Sequence, residues 1–133
     1  MAANTRFATG VHALVLLAAE PDGLKTSEEI ADRLAINPVV VRRIFSLLRR
    51  AGILKSQKGP HGGSKLARSA KQITLADIYR ALDGGELFHT AQTGSRRAKV
   101  SAALKRACAR AEESMREELS RTTLNQIAKK ASK

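Results

Sequence analysis

Aromatic side chains are nearly absent from this chain, which holds three phenylalanines, one tyrosine and no tryptophan. Its core must come from Leu, Ile, Val and Ala, a palette that favours helices over a β-sandwich. Binding of single-stranded nucleic acid is disfavoured for the same reason, because bases stack on aromatic platforms. Cysteine occurs once, as Cys108, so neither an intramolecular disulfide nor a Cys-rich metal site can form. That fits a reducing, cytoplasmic compartment. Long apolar runs are missing too. The stretch 11–19 is apolar but too short to span a bilayer. It contains His12 and has one preceding basic residue, Arg6, so it reads as a buried helix rather than a secretory leader. No membrane association is expected.

The most informative absence is of acids. No Asp or Glu lies between Asp32 and Asp77, whereas ten Lys or Arg do. A merely solvated surface mixes its signs. The formal net charge of +12 costs self-repulsion unless phosphates neutralise it, which points to nucleic acid ahead of a membrane.

Local punctuation supplies the architecture. A first helix starts after Thr5 with Phe7, Val11, Leu14 and Ala18 on one face, and ends at Pro21, Asp22 and Gly23. Thr26 followed three residues later by Glu29 is a capping box opening a short helix with Ile30, Ala31 and Leu34 inward. Asn37 and Pro38 are the N-cap and first residue of the next helix, which Gly52 stops. Its inward stripe is Val41, Ile44, Phe45 and Leu48. Two short helices joined by a tight turn, the second rich in Arg, form a helix-turn-helix. Residues 53–58 and 64–68 read as strands around a glycine-rich loop, and a basic hairpin placed there is a wing. Thr74 caps a further helix that runs to Gly84.

A polar linker, 86–95, then leads into a helix from Arg96 to about Arg121, with the apolar stripe Val100, Leu104, Ala107, Cys108, Ala111, Met115 and Leu119. This exceeds what a small domain can cover, so the stripe is expected to pack on a second copy of the chain. Its first half is basic and its second half acidic, which suits antiparallel pairing about a two-fold axis. Local pairs such as Glu112 with Arg116 and Glu117 with Arg121 are a simpler use of the same charges. Thr123 opens a last short helix containing Leu124 and Ile127. The expected fold is mainly α: a winged helix-turn-helix domain (1–85) with a two-stranded wing, a linker, and a dimerisation helix with a short C-terminal helix (96–133).

In the major groove, the first turns of a recognition helix read bases. Here these offer Asn37, Val39, Val40, Arg42 and Arg43. Either arginine suits guanine, and the valines suit thymine methyl groups or cover a neighbouring loop. Arg49 and Arg50 are placed for phosphates, Lys58, Lys65 and His61 for the backbone or minor groove, and Thr26 and Ser27 for phosphate at a helix N-terminus. Cys108 reads as a small core residue, with Lys105 and Arg106 near enough in sequence to leave a redox role open. An enzyme is disfavoured: there is no nucleophile–base pair, no metal-ligand spacing and no complete P-loop.

Lys58, Gly59, Pro60, His61, Gly62 and Gly63, then Ile73, Thr74, Leu75, Ala76 and Asp77, resemble the Rrf-two family of bacterial winged-helix regulators. So do Arg6, Phe7 and Ala8, the run from Arg43 to Ile53, and Thr122, Thr123 and Leu124. The resemblance covers essentially the whole chain. It implies a homodimer on a pseudo-palindromic operator with the long helix at the interface, Arg42 at a base-contacting position and Lys58 at the minor groove; a repressor is the expected role, with activation left open. Sensing members of the family hold an iron–sulfur cluster with three cysteines after the fourth helix. The corresponding stretch, 86–100, has none, so neither cluster nor any other cofactor is expected, and the effector is left open. A different class, a DNA-coating protein without sequence preference, accounts for the charge alone.

Overall fold

Helix α1 (Ala3–Ala19) starts before Thr5 and carries Ala13, Leu14 and Leu17 into the centre of the core. The computed structural model describes residues 3–83 and 95–132. Gly10 has a packing reason: a Cβ there would lie 2.3 Å from Leu82 Cδ1. The absence of a side chain lets α4 (Leu75–Asp83) lie close against α1. Arg6 Nη2 reaches Asp83 Oδ1 at 3.0 Å, tying the two helices at one end.

Helix α2 (Ser27–Leu34) opens with the expected reciprocal box between Thr26 and Glu29. It ends at Ala35, which adopts a left-handed conformation (φ 56) so that the chain can turn sharply. Asn37 then caps α3 (Pro38–Arg50), its Oδ1 accepting from the Val39 amide at 2.8 Å. Val41, Ile44, Phe45 and Leu48 face inward at helical spacing and are almost fully buried. Gly52 at φ +78 ends the helix, and the Ile53 amide returns to the Leu48 carbonyl at 2.9 Å.

Strands β1 (Leu54–Gln57) and β2 (Gly63–Leu66) pair antiparallel, with Leu54 opposite Leu66, Lys55 opposite Lys65, and Ser56 opposite Ser64. Alternation sends the leucines and serines toward the core side and both lysines outward. Lys25, ahead of α2, pairs with Ser64 through two backbone bonds of 3.0 and 2.8 Å and pins the wing to the helix pair. After a 3₁₀ turn (Ala70–Gln72) capped by Ser69, α4 begins with a second reciprocal cap, between Thr74 and Asp77.

Helix α5 (Ser95–Leu119) runs alongside α4, and α6 (Leu124–Ala131) folds back onto α1 and the 3₁₀ turn. Leu124 is fully buried within the same cluster as Leu14, Ile44 and Ile78. The C-terminal helix thus belongs to the core of the winged domain. Among the described residues Phe45 is the one aromatic ring buried in that cluster, with Phe7 packed against it. The fold is mainly α with a two-stranded wing. Residues 86–94 of the expected linker, with Phe88 and His89, lie outside the described residues.

Candidate nucleic-acid interface

Because α3 turns its apolar stripe inward, Arg42, Arg43, Arg49 and Arg50 stand exposed on the outer face. A cleft between this face and the wing is lined by Thr26, Ser27, Glu28, Arg42, Arg49 and Lys58, among others. Apart from Glu28, each of these is a residue expected from sequence to meet DNA, and the fold gathers them from three separate elements.

Hydrogen bonds lock the cleft. Arg49 Nη1 donates to Ser56 Oγ at 3.1 Å, and Ser56 Oγ lies 3.0 Å from Ser64 Oγ. Recognition helix and wing are therefore joined by a polar chain that fixes their separation. At the wing tip Gly59 has φ +114, and a Cβ on Gly62 would meet the Gln57 carbonyl oxygen at 2.1 Å. Lys58 and His61 are exposed there.

Several expected contacts are placed differently. The Thr26 hydroxyl accepts from the Glu29 amide at 3.1 Å and donates to Glu29 Oε1 at 3.2 Å, so in the free chain it is engaged in the helix cap. Ser27 Oγ donates to Glu28 Oε2 at 3.2 Å. Asn37 has its oxygen committed to capping and keeps its NH2 as a donor. Val39 is 50% exposed, whereas Val40 is half-buried and packs on the core, because only the first lies on the outward arc of α3. Lys65 projects from the opposite face of the wing with Lys55, lining a second cleft with Arg68 and Lys71.

One residue on this surface does not follow from the sequence. Arg42 Nη1 donates to Glu28 Oε1 at 2.8 Å across the helix-turn-helix. The Glu28 carboxyl is held below its usual range, first by a backbone N–H bond, then by Ser27 and by Arg42. Fourteen residues of sequence separate the pair and hide it. The sequence signal is an acid in the first turn of α2, a position ordinarily explained by the helix dipole.

The stripe of α5 divides in two. Val100 is 64% and Leu104 48% exposed, with Ala107 and Ala111 exposed beside them, whereas Cys108, Met115 and Leu119 are half-buried. Arg116 pairs with Glu112 and Glu113 at 3.6 and 3.7 Å. Arg121 meets Glu118 at 2.8 Å instead of the expected Glu117, one residue nearer along the helix. Among the described residues no group of His, Cys, Asp and Glu is arranged to hold a metal, and no helix is long and apolar enough to cross a membrane.

The profile of the Rrf2 family, described as iron-dependent transcriptional regulator, matches residues 3–130. YwnA of Bacillus subtilis (strain 168) is 43% identical over 83 residues, 62% of this chain and 60% of that protein. The chain matches between 42% and 60% of the length of five curated relatives, YwnA among them. Among solved structures, IscR of T. potens superposes with a TM-score of 0.70 at 27% identity, covering 96% of this chain and 85% of that one. CymR, the global cysteine regulator of B. subtilis, does so with a TM-score of 0.71 at 27% identity, covering 94% of both.

Proposed function

The chain belongs to the Rrf2 (Rrf-two) family of transcriptional regulators, and from that premise we propose that it binds duplex DNA sequence-specifically as a homodimer on a pseudo-palindromic operator, acting as a repressor by occupying it. The observation that carries this reading is the cleft in which Arg42, Arg49 and Lys58 converge from recognition helix and wing. Arg42 and Arg43 would read base edges in the major groove, with a good bidentate contact to guanine worth about 1–3 kcal/mol of discrimination. Arg49, Arg50 and the wing cations would position the complex through phosphates, which carry no sequence information but set the register.

The exposed half of the α5 stripe supports the dimer. Val100 and Leu104, flanked by Ala107 and Ala111, offer an apolar strip that the other described residues leave uncovered. A two-fold pairing through it would place two recognition helices on successive half-sites. Leu104→Glu should shift the chain to a monomer in sedimentation; a parent that is itself monomeric at micromolar concentration removes the dimer.

The iron dependence in the family's description does not extend comfortably to these residues. A cluster needs thiolates, and the single Cys108 is half-buried on α5. We therefore propose a cluster-free regulator and derive no step through iron.

Selection of bound duplexes from a random pool at physiological salt tests the reading. A two-fold motif with half-sites about one helical turn apart is expected. Binding that follows salt alone, with no motif enriched, would replace it by non-specific DNA coating.

A further inference from the structure

The recognition surface contains one acid where phosphates are expected to lie. Among the residues lining the cleft between α3 and the wing, Arg42, Arg49 and Lys58 are cationic and Glu28 is the single carboxylate. A surface selected only for attraction to DNA gains nothing from it, since the carboxylate both neutralises an arginine and repels the backbone. Its placement is also well defined. Oε1 accepts from Arg42 and Oε2 from Ser27, so both oxygens have a donor, and with its own backbone N–H these hold the carboxyl below its usual range. The cap of α2 does not need Glu28, because Thr26 and Glu29 already close it.

We propose that Glu28 is a positioning residue for specificity, bracing the Arg42 guanidinium for a guanine and penalising DNA that offers none. An unbraced arginine on a helix surface samples many rotamers, and freezing it against a base costs conformational entropy. A guanidinium has five N–H donors, so a bond to Glu28 through Nη1 leaves enough for a bidentate contact with O6 and N7. On a site without that guanine, Arg42 stays paired to Glu28 and the remaining carboxylate charge faces phosphates. The carboxylate thus weakens binding to every duplex, and only a site whose guanine engages the braced Arg42 recovers that loss. The inference rests on the reading that α3 enters the major groove.

The test compares the selected operator duplex with a scrambled duplex of equal length, using the full chain and its Glu28→Ala, Glu28→Gln, Arg42→Ala and doubly substituted forms. Arg42→Ala should lose roughly 5- to 150-fold on the operator, the span that corresponds to one bidentate contact. Glu28→Ala should weaken operator binding on the order of 10-fold while strengthening scrambled binding at low salt, so the ratio falls from both sides. Glu28→Gln, which keeps an acceptor without charge, should recover part of the operator affinity while scrambled binding stays as strong as in Glu28→Ala. In the Arg42→Ala background the Glu28 substitution should no longer weaken operator binding, which a merely structural role would not produce. An unchanged ratio in Glu28→Ala, or an equal operator loss with and without Arg42, overturns the proposal. A parent that does not distinguish the two duplexes, or an Arg42→Ala form that keeps the full preference, instead overturns the reading of α3 itself and the brace with it. Melting temperatures matching the parent exclude misfolding, as Glu28 is exposed.

Discussion

The amide of Leu124 donates to the carbonyl of Ile73 at 2.8 Å, and next to it the Leu75 amide donates to the Thr122 carbonyl at 2.9 Å. These two bonds bring the chain that follows α5 back to the start of α4. The long helix is therefore clamped at its C-terminal end to the body that carries the recognition helix.

Truncating Leu124 should consequently destabilise the DNA-binding domain itself. Its side chain is fully buried, and Leu124→Ala is expected to cost about 2–5 kcal/mol in a denaturant titration. Deleting the chain from Thr122 onward should lower stability at least as much. A cost below about 0.5 kcal/mol, the level of ordinary surface substitutions, would mean that α6 is not part of the core.

Ala35 stores removable strain. It sits at φ 56 in the turn between α2 and α3, is exposed, and gains nothing from its methyl group. The left-handed region costs a residue with a Cβ about 1–2 kcal/mol, part of which glycine returns through unfolded-state entropy. Ala35→Gly should therefore stabilise the protein by about 0.5–1 kcal/mol in thermal or chemical unfolding. Lower stability would show the turn to be differently shaped in solution.

The wing tip makes the opposite prediction. Gly62 donates its amide to the Gly59 carbonyl at 3.0 Å, and any Cβ there collides with the backbone at Gln57. Gly62→Ala should displace Lys58 and His61 and weaken DNA binding at least several-fold. The helices should keep their circular-dichroism signal, because the tip is remote from the buried cluster. Unaltered binding would show that the wing does not engage DNA.

Tyr79 predicts an alkaline sensitivity. Its phenol is pushed up, first by burial and then by the Asp83 and Glu112 carboxylates, with Arg116 opposing. The folded state thus holds the proton more tightly than the unfolded chain, whose tyrosine titrates near about 10. The stabilising contribution is full below that pH and is lost as pH rises through it toward the folded value. Relative to Tyr79→Phe, the parent should keep a constant stability difference through neutral pH and lose ground above about pH 10. A difference that stays flat through the alkaline range would contradict this.

Features specified by neighbours along the chain are legible in the sequence alone. Thr26 with Glu29, Asn37 with Pro38, and Gly52 each satisfy backbone groups within one turn, so residue type and spacing define them. The inward stripe of α3 and the position of the wing follow from periodicity and glycine placement. What stays hidden depends on the packing of distant segments. Nothing local tells Leu124 to return to Ile73, or Glu28 to meet Arg42. Nor does the α5 stripe announce that its second half lies half-buried while Val100 and Leu104 stay open. Lys65 is an intermediate case: it neighbours the buried Leu66, and strand alternation alone places it on the outer face away from Ser64 and Arg49.

Whether the surface joining Arg42, Arg49 and Lys58 reads sequence or charge alone is decided by one ratio. The affinities for the selected duplex and for a scrambled duplex are titrated in parallel at physiological salt. A ratio of about 10³ or more, with two chains bound per duplex, is predicted. Equal affinities that weaken together as salt rises would contradict it and leave a protein that coats DNA without reading it.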